Sequence, residues 1–193
     1  IVRLKTSLTR TSNSHLFLLK ITALVDAIIQ AAFDASLWFH NQTLQKKLYS
    51  KDIAITIIAR GGYGREELYF QSNVDVQIIS GKNQTKEIKH IVRHLEYLFV
   101  HQNIFQTTTS ACYKDIESLE KELISGKASD LCALLEGRLV AGNSNTYGEF
   151  MNVVKKASVL QKENLLNYCH EHKNYYEVSN TVFQQEPNVK EEL

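Results

Sequence analysis

Proline is almost missing from this chain: Pro187 is the only one in 193 residues. With so few helix breakers, long helices are favoured. Cysteine is scarce as well. Cys112, Cys132 and Cys169 are odd in number and widely spaced. They exclude a disulfide framework and a Cys-x-x-Cys metal knuckle, and a reducing cytoplasm is the expected setting. No uninterrupted apolar run reaches the ~18 residues that a membrane span takes, so no membrane partner is expected. Net charge is nearly absent too. The 22 Lys and Arg against 21 Asp and Glu leave +1, which gives non-specific nucleic-acid binding no electrostatic footprint. A negatively charged substrate would have to be met by local groups.

What is present suits a core-forming chain: 44% hydrophobic and 22% charged residues are ordinary values. There is no internal repeat and no low-complexity tract. The chain begins at Ile1 without methionine and stops soon after Pro187-Asn188-Val189-Lys190, so a piece of something longer is the expectation. Ser12 to Ser14 offers a helix cap, and apolar residues from Leu16 recur at helical spacing to about Leu48. Ile53 to Ala59 is short, β-branched and almost wholly apolar, the pattern of a buried strand. Gly61-Gly62-Tyr63-Gly64 follows as a tight loop. A second strand is expected from Val74 to Ile79, an amphipathic helix from Ile88 to Val100, and a Thr-rich strand from Ile104 to Ser110. Ile116–Ile124, Leu131–Val140 and Phe150–His172 are helical in period. Residues after Tyr175 read as a linker or extended segment.

The chemistry concentrates between Arg60 and Val76. Three glycines between a strand and an expected short helix let backbone N–H groups crowd around an anion. A helix starting near Arg65 would point its positive end at the same place. Strand alternation puts Asn73, Asp75 and Gln77 on one face and Val74, Val76 and Ile78 on the other. The polar face is expected to look toward the glycine loop. Two carboxylates at i and i+2 can hold magnesium, which bridges phosphates. A plain tight turn accounts for the glycines equally well. Arg65 is the cation most readily placed near phosphates, with a pair to Glu67 as the alternative.

This stretch resembles the nucleotidyltransferase motif of bacterial PII-protein uridylyltransferases: Gly-Gly-Tyr-Gly-Arg-x-Glu-Leu, a spacer, then Ser-Asp-x-Asp. Gly61, Gly62, Tyr63, Gly64, Arg65, Glu67, Leu68, Ser72 and Asp75 match it. Leu134 to Gly142 is similar to the family's Leu-x-Glu-x-Arg-Leu-x-x-Gly helix end, and Glu186 to Glu191 to its Glu-Pro-Asn-x-Lys-Glu segment. Asn73 stands where the pattern has its first metal-binding Asp.

The resemblance implies an α+β fold of the nucleotidyltransferase (DNA polymerase β-like) type, a small mixed sheet with helices before and after it. An amino-terminal helical segment over 1–50, a core over 51–125 and a helical segment and linker over 126–193 would lead into further carboxy-terminal domains. The implied reaction moves a nucleotidyl group, UMP from UTP, to a tyrosine hydroxyl of a PII-type signalling protein. Asp75 would hold magnesium with Asn73 as a weak second ligand. Gly61, Gly62, Gly64, Arg65 and Ser72 would seat the nucleotide. The alternative is a degenerate module of the same fold that binds nucleotide or a partner without catalysis.

Other features have plainer readings. His90 and His94, four apart on a helix, are expected to face solvent. Cys169-His170-Glu171-His172 ends a polar helix. Cys132 belongs to a core. Glu136 and Arg138 make a structural ion pair.

Overall fold

The computed structural model describes residues 14–45, 47–68, 73–83, 85–101 and 113–179. Ser12, Ser72, the strand expected at Ile104–Ser110 and the Glu186–Glu191 motif lie outside them.

The first element is α1, Ser14–Leu44. One side of it, Phe17, Leu18, Ile21, Val25, Ile29, Phe33 and Leu37, is buried, at the three-to-four-residue spacing of a helix that covers a core. By length and composition, His15–Leu44 also suffices to cross a membrane. Counting uninterrupted apolar runs misses this. In the fold this buried side belongs to the same hydrophobic cluster as the sheet residues Ile55, Ile57 and Val76, so α1 is a core helix.

The sheet has four strands in the order β3-β2-β1-β4. β1 is Ile55–Ala59, β2 Val76–Ser80, β3 Tyr113–Asp115 and β4 Arg138–Gly142. β1 pairs antiparallel with β2 and β4, while β3 joins β2 in parallel. Between β1 and β2 lies one helical turn, α2, Gly61–Gly64. α3 is Lys86–His101, α4 Ile116–Ser125, α5 Ala128–Leu135, α6 Ser144–Leu160 and α7 Lys162–Ser179. α1 and α3 cover one face of the sheet, around Ile57 and Ile78. α4, α5 and α6 cover the other, around Ile58 and Ile79. Both faces of β1 and β2 are therefore covered, and every residue of both strands is buried. This is why β1 reads as an almost wholly apolar run.

Two expectations need correction. The apolar period predicts helix across Leu131–Val140, but α5 ends at Leu135 and Arg138–Gly142 is the edge strand beside β1. Gly137 makes the change of direction, where a Cβ would meet Leu134 O at 2.9 Å and Ile58 Cγ2 at 3.1 Å. A short apolar run such as Leu139-Val140-Ala141 fits strand or helix, and pairing with β1 decides it. Residues after Tyr175 are not a linker at their start, since α7 runs to Ser179.

Three elements meet at Asp26. Its carboxylate accepts from Arg138 Nη1 at 2.8 Å and Nη2 at 3.0 Å, and from the Tyr63 hydroxyl at 2.6 Å. α1, β4 and the glycine turn are thus tied by one acidic side chain. Burial first, and then Asp26, push the Tyr63 phenol far above its usual pKa, so it stays a protonated donor.

His90 and His94, expected to face solvent, are half-buried and turned toward α1. His90 Nδ1 lies 3.1 Å from His40 Nδ1, and His94 Nδ1 lies 3.0 Å from Ser36 Oγ. Phe39 stacks on His94 with centroids 4.5 Å apart. The i,i+4 pair points at α1 because α3 packs there. A bond between two imidazole nitrogens needs one donor and one acceptor, so His40 and His90 cannot both be cations and keep it.

Two outcomes follow from these contacts. Asp26→Asn should lower the unfolding free energy by about 1–3 kcal/mol, because Arg138 loses its anionic partner; urea denaturation measures this, and an unchanged midpoint would remove the tie from the account. Burial, and then the neighbouring His90, hold the His94 pKa below its ordinary value. The unfolded chain takes up that proton near pH ~6.5 and the folded one only at lower pH. Stability should therefore fall as pH drops below ~6.5. Thermal melts from pH 7.5 to 5.5 should show the loss, and His94→Gln should flatten it.

Candidate functional site

β1 ends at Ala59, and the ladder continues one residue further. Arg60 N donates to Asp75 O at 3.1 Å, so Arg60 stands opposite Asp75 as Ile58 stands opposite Gln77. The chain then turns. Gly61 has φ +57, a conformation that side chains rarely adopt. Arg65 N closes the turn on Gly61 O at 3.1 Å and Glu67 N on Gly62 O at 2.9 Å.

The glycines have separate roles. A Cβ at Gly61 would find Asp75 Oδ2 at 3.8 Å, and one at Gly62 would find nothing nearer than 3.7 Å. Neither position is crowded: Gly61 lies beside the Asp75 carboxylate, and Gly62 beside Glu67 O and the Arg65 guanidinium. Gly64 is buried. A Cβ there would stand 2.5 Å from Glu136 O and 3.1 Å from Ala59 O, so Gly64 lets the turn close on the chain that leaves α5. Tyr63 points inward to Asp26 and fixes which way its neighbours face.

Asn73 and Asp75 are exposed and Val74 and Val76 buried, which is the expected alternation. It does not extend as expected. β2 begins only at Val76, and Gln77, on the Asp75 side, is 2% exposed, because α4 and α5 cover that face. The open part of the polar face ends at Asp75. Ser72 lies outside the described residues.

The helix expected to start near Arg65 is absent. The turn starts at Gly61, and Arg65 is its carboxy-terminal cap. A single turn sums too few peptide dipoles to serve as a charged helix end. Arg65 itself is engaged: Nε lies 2.7 Å from Glu67 Oε2 and Nη1 2.6 Å from Glu136 Oε2. Glu136 and Arg138 do not pair with each other. Glu136 takes Arg65, while Arg138 takes Asp26 at 2.8 Å and reaches Glu66 at 3.8 Å.

Magnesium can be tested against these donors. Among the described residues no three His, Cys, Asp or Glu side chains gather as a metal cage. Asp75 supplies one carboxylate and Asn73 one amide. Magnesium commonly binds through one or two carboxylates plus substrate phosphates. The donor set therefore fits a cation carried in on a polyphosphate, and does not fit one held by the protein alone.

Asp26 and Arg60 escaped notice in the sequence. Asp26 carries no local signal, since its partners lie far along the chain. Arg60 had one: alternation continued past Ala59 puts it on the face of Asp75.

No family model matches the chain. It is similar to the bifunctional uridylyltransferase/uridylyl-removing enzyme of Haemophilus influenzae (strain 86-028NP), 30% identical over 154 residues, 77% of this chain and 17% of that protein. The enzyme of the same name from Pasteurella multocida is 30% identical over 146 residues, covering 72% and 16%. That from Hydrogenovibrio crunogenus is 31% identical over 165 residues, covering 79% and 17%. The chain spans about a sixth of the length of the curated relatives it matches.

The glycine geometry gives a direct comparison. Gly64→Ala should cost about 1–3 kcal/mol, the usual range for overpacking against atoms that cannot move aside. Gly62→Ala should leave stability within about 1 kcal/mol. Equal losses in thermal melts would show that the turn does not divide its glycines between packing and an open face.

Proposed function

We propose, for a chain that belongs to the family of bifunctional uridylyltransferase/uridylyl-removing enzymes, that it is a metal-dependent nucleotidyltransferase domain of DNA polymerase β-like fold. Its donor is a nucleoside triphosphate, UTP, and its acceptor a PII-type signalling protein. The observation that carries the reading is the placement of the Asp75 carboxylate, exposed, 3.8 Å from the Cβ position of Gly61. Polyphosphate can approach bare backbone there, within reach of an oxygen ligand. When present, magnesium would neutralise charge on the phosphates. Asp75 would be its protein carboxylate and Asn73 a neutral neighbour. Gly61 and Gly62 allow close approach and offer backbone N–H donors. The acceptor's tyrosine oxygen would attack the α-phosphorus, its proton passing to solvent, and pyrophosphate would leave. Tyr63 takes no part in proton transfer, since it is buried and held protonated by Asp26.

A second reading rests on Asn73 and Arg65. Asn73 removes one negative charge from the cation's surroundings, and Arg65 is engaged by two carboxylates. A module that binds nucleotide without turning it over agrees with both facts.

Magnesium dependence separates the two. Changes to groups around a metal typically alter affinity or activity 10–100-fold. Asn73→Asp should tighten magnesium-dependent UTP binding by about tenfold or more, and Asp75→Asn should weaken it comparably. Titrations of wild type and both variants, with and without magnesium, provide the measurement. A graded series favours the transferase, whereas equal affinities would remove Asp75 from any catalytic role.

A further inference from the structure

The face of β1 and β2 that α4 and α5 cover is not fully filled. A cavity of about 210 Å³ opens there, lined by Arg60, Gln77, Lys114, Leu119, Asp130 and Leu134 among others. Strand register fixes its relation to Asp75. Ile58 pairs with Gln77, and Arg60 follows opposite Asp75. By two-residue alternation Arg60, Asp75 and Gln77 share one face. Asp75 stands at its open end and Gln77, 2% exposed, lies beneath the helices.

Charge on this face is unevenly engaged. Lys114 is paired with Glu122, and Arg65 with Glu67 and Glu136. Arg60 is half-buried, and its guanidinium makes no hydrogen bond or ion pair among the described residues. A cation so placed beside Asp75 and Gly61 is suited to an anion bound at the turn.

The volume limits what enters. It is smaller than the roughly 300–1,000 Å³ of pockets that take a drug-sized ligand, which suits one ring with its substituents better than a whole nucleotide. The lining is mixed: Leu119, Leu123 and Leu134 are apolar, and the other five side chains are polar or charged. Gln77, which already makes a contact within the fold, carries an amide that can donate and accept, and Asp130 brings an acceptor. Placed polar groups of this kind orient a small molecule.

We infer that this cavity seats the base of the donor nucleotide, and that Arg60 at its mouth, in place of Arg65, receives the phosphates. The inference rests on the nucleotidyltransferase reading and adds to it a base subsite and a phosphate-binding residue. The donor then lies along one sheet face, its base under α4 and α5 and its phosphates between Arg60 and the Gly61–Gly62 backbone.

The test uses the whole chain and two probes, UTP and inorganic tripolyphosphate, each with magnesium, titrated by NMR shift changes. Gln77→Leu should weaken UTP about tenfold, the scale of one or two lost hydrogen bonds, and leave tripolyphosphate unchanged. Asp130→Asn, at an exposed position where folding is not at risk, should shift UTP in the same sense by a smaller factor. Arg60→Gln should weaken both probes about tenfold, with Arg60→Lys recovering part of the loss. Thermal melts confirm that each variant is folded. If Gln77→Leu and Asp130→Asn both keep the wild-type ratio of the two affinities, the base subsite is wrong while the transferase reading stands. If Arg60→Gln binds both probes as wild type does, Arg60 is not the phosphate residue. Wild type that binds neither probe overturns the transferase reading and this inference with it.

Discussion

Asp26 is the residue on which the arrangement turns. Its carboxylate holds Arg138 of β4 with two hydrogen bonds and Tyr63 of the glycine turn with a third. The Arg138 guanidinium also lies over the Tyr63 ring, 5.5 Å from its centroid. The ring is almost fully buried, so the middle of the turn is drawn into the protein. A one-turn helix pinned at its centre has little freedom left, and its first two glycines must face outward. The open backbone beside Asp75 thus follows from a contact made on the opposite side of the turn. Packing supplies the volume for this, but orientation comes from the fixed fork geometry of a guanidinium meeting a carboxylate.

Legibility in the sequence followed the range of the forces involved. β1 could be read because both its faces are buried, so its pattern depends on nothing but itself. α3 could be read because its buried residues, Ile88, Ile91, Val92, Leu95 and Phe99, repeat at helical spacing. β4 could not: Leu139-Val140-Ala141 is too short to show a period, and its partner lies some 80 residues earlier in β1. The histidines failed for a related reason. An i,i+4 spacing says that two side chains share a helix face, and only the packing of α3 on α1 says what that face meets. Within the candidate site, the alternation Asn73–Val76 was legible until tertiary cover intervened. Gln77 keeps the phase of the strand and loses its solvent.

Arginine placement shows the same division more sharply. Three arginines, Arg60, Arg65 and Arg138, surround the glycine turn. Motif resemblance draws attention to Arg65, which lies inside the motif. Yet Glu67 is two residues away and Glu136 arrives with α5, and both carboxylates reach Arg65 first. Arg138 is bound by Asp26. What sets Arg60 apart is that it has no side-chain partner among the described residues. It leaves the strand next to a glycine turn, half-buried, facing a carboxylate it does not pair with.

That placement bears on the meaning of Asn73. With two carboxylates at 73 and 75, the site would carry two like charges within a few ångströms and would need a divalent cation to offset them. With Asn73, the local sum is one carboxylate, and Arg60 can balance it without metal. Both positions are exposed, so removing one of the two charges should alter cation binding more than it alters folding. On the proposed reading a polyphosphate would bring in most of the negative charge that a metal needs, so metal and nucleotide would enter together, and the protein would contribute one oxygen, exposed backbone and one arginine.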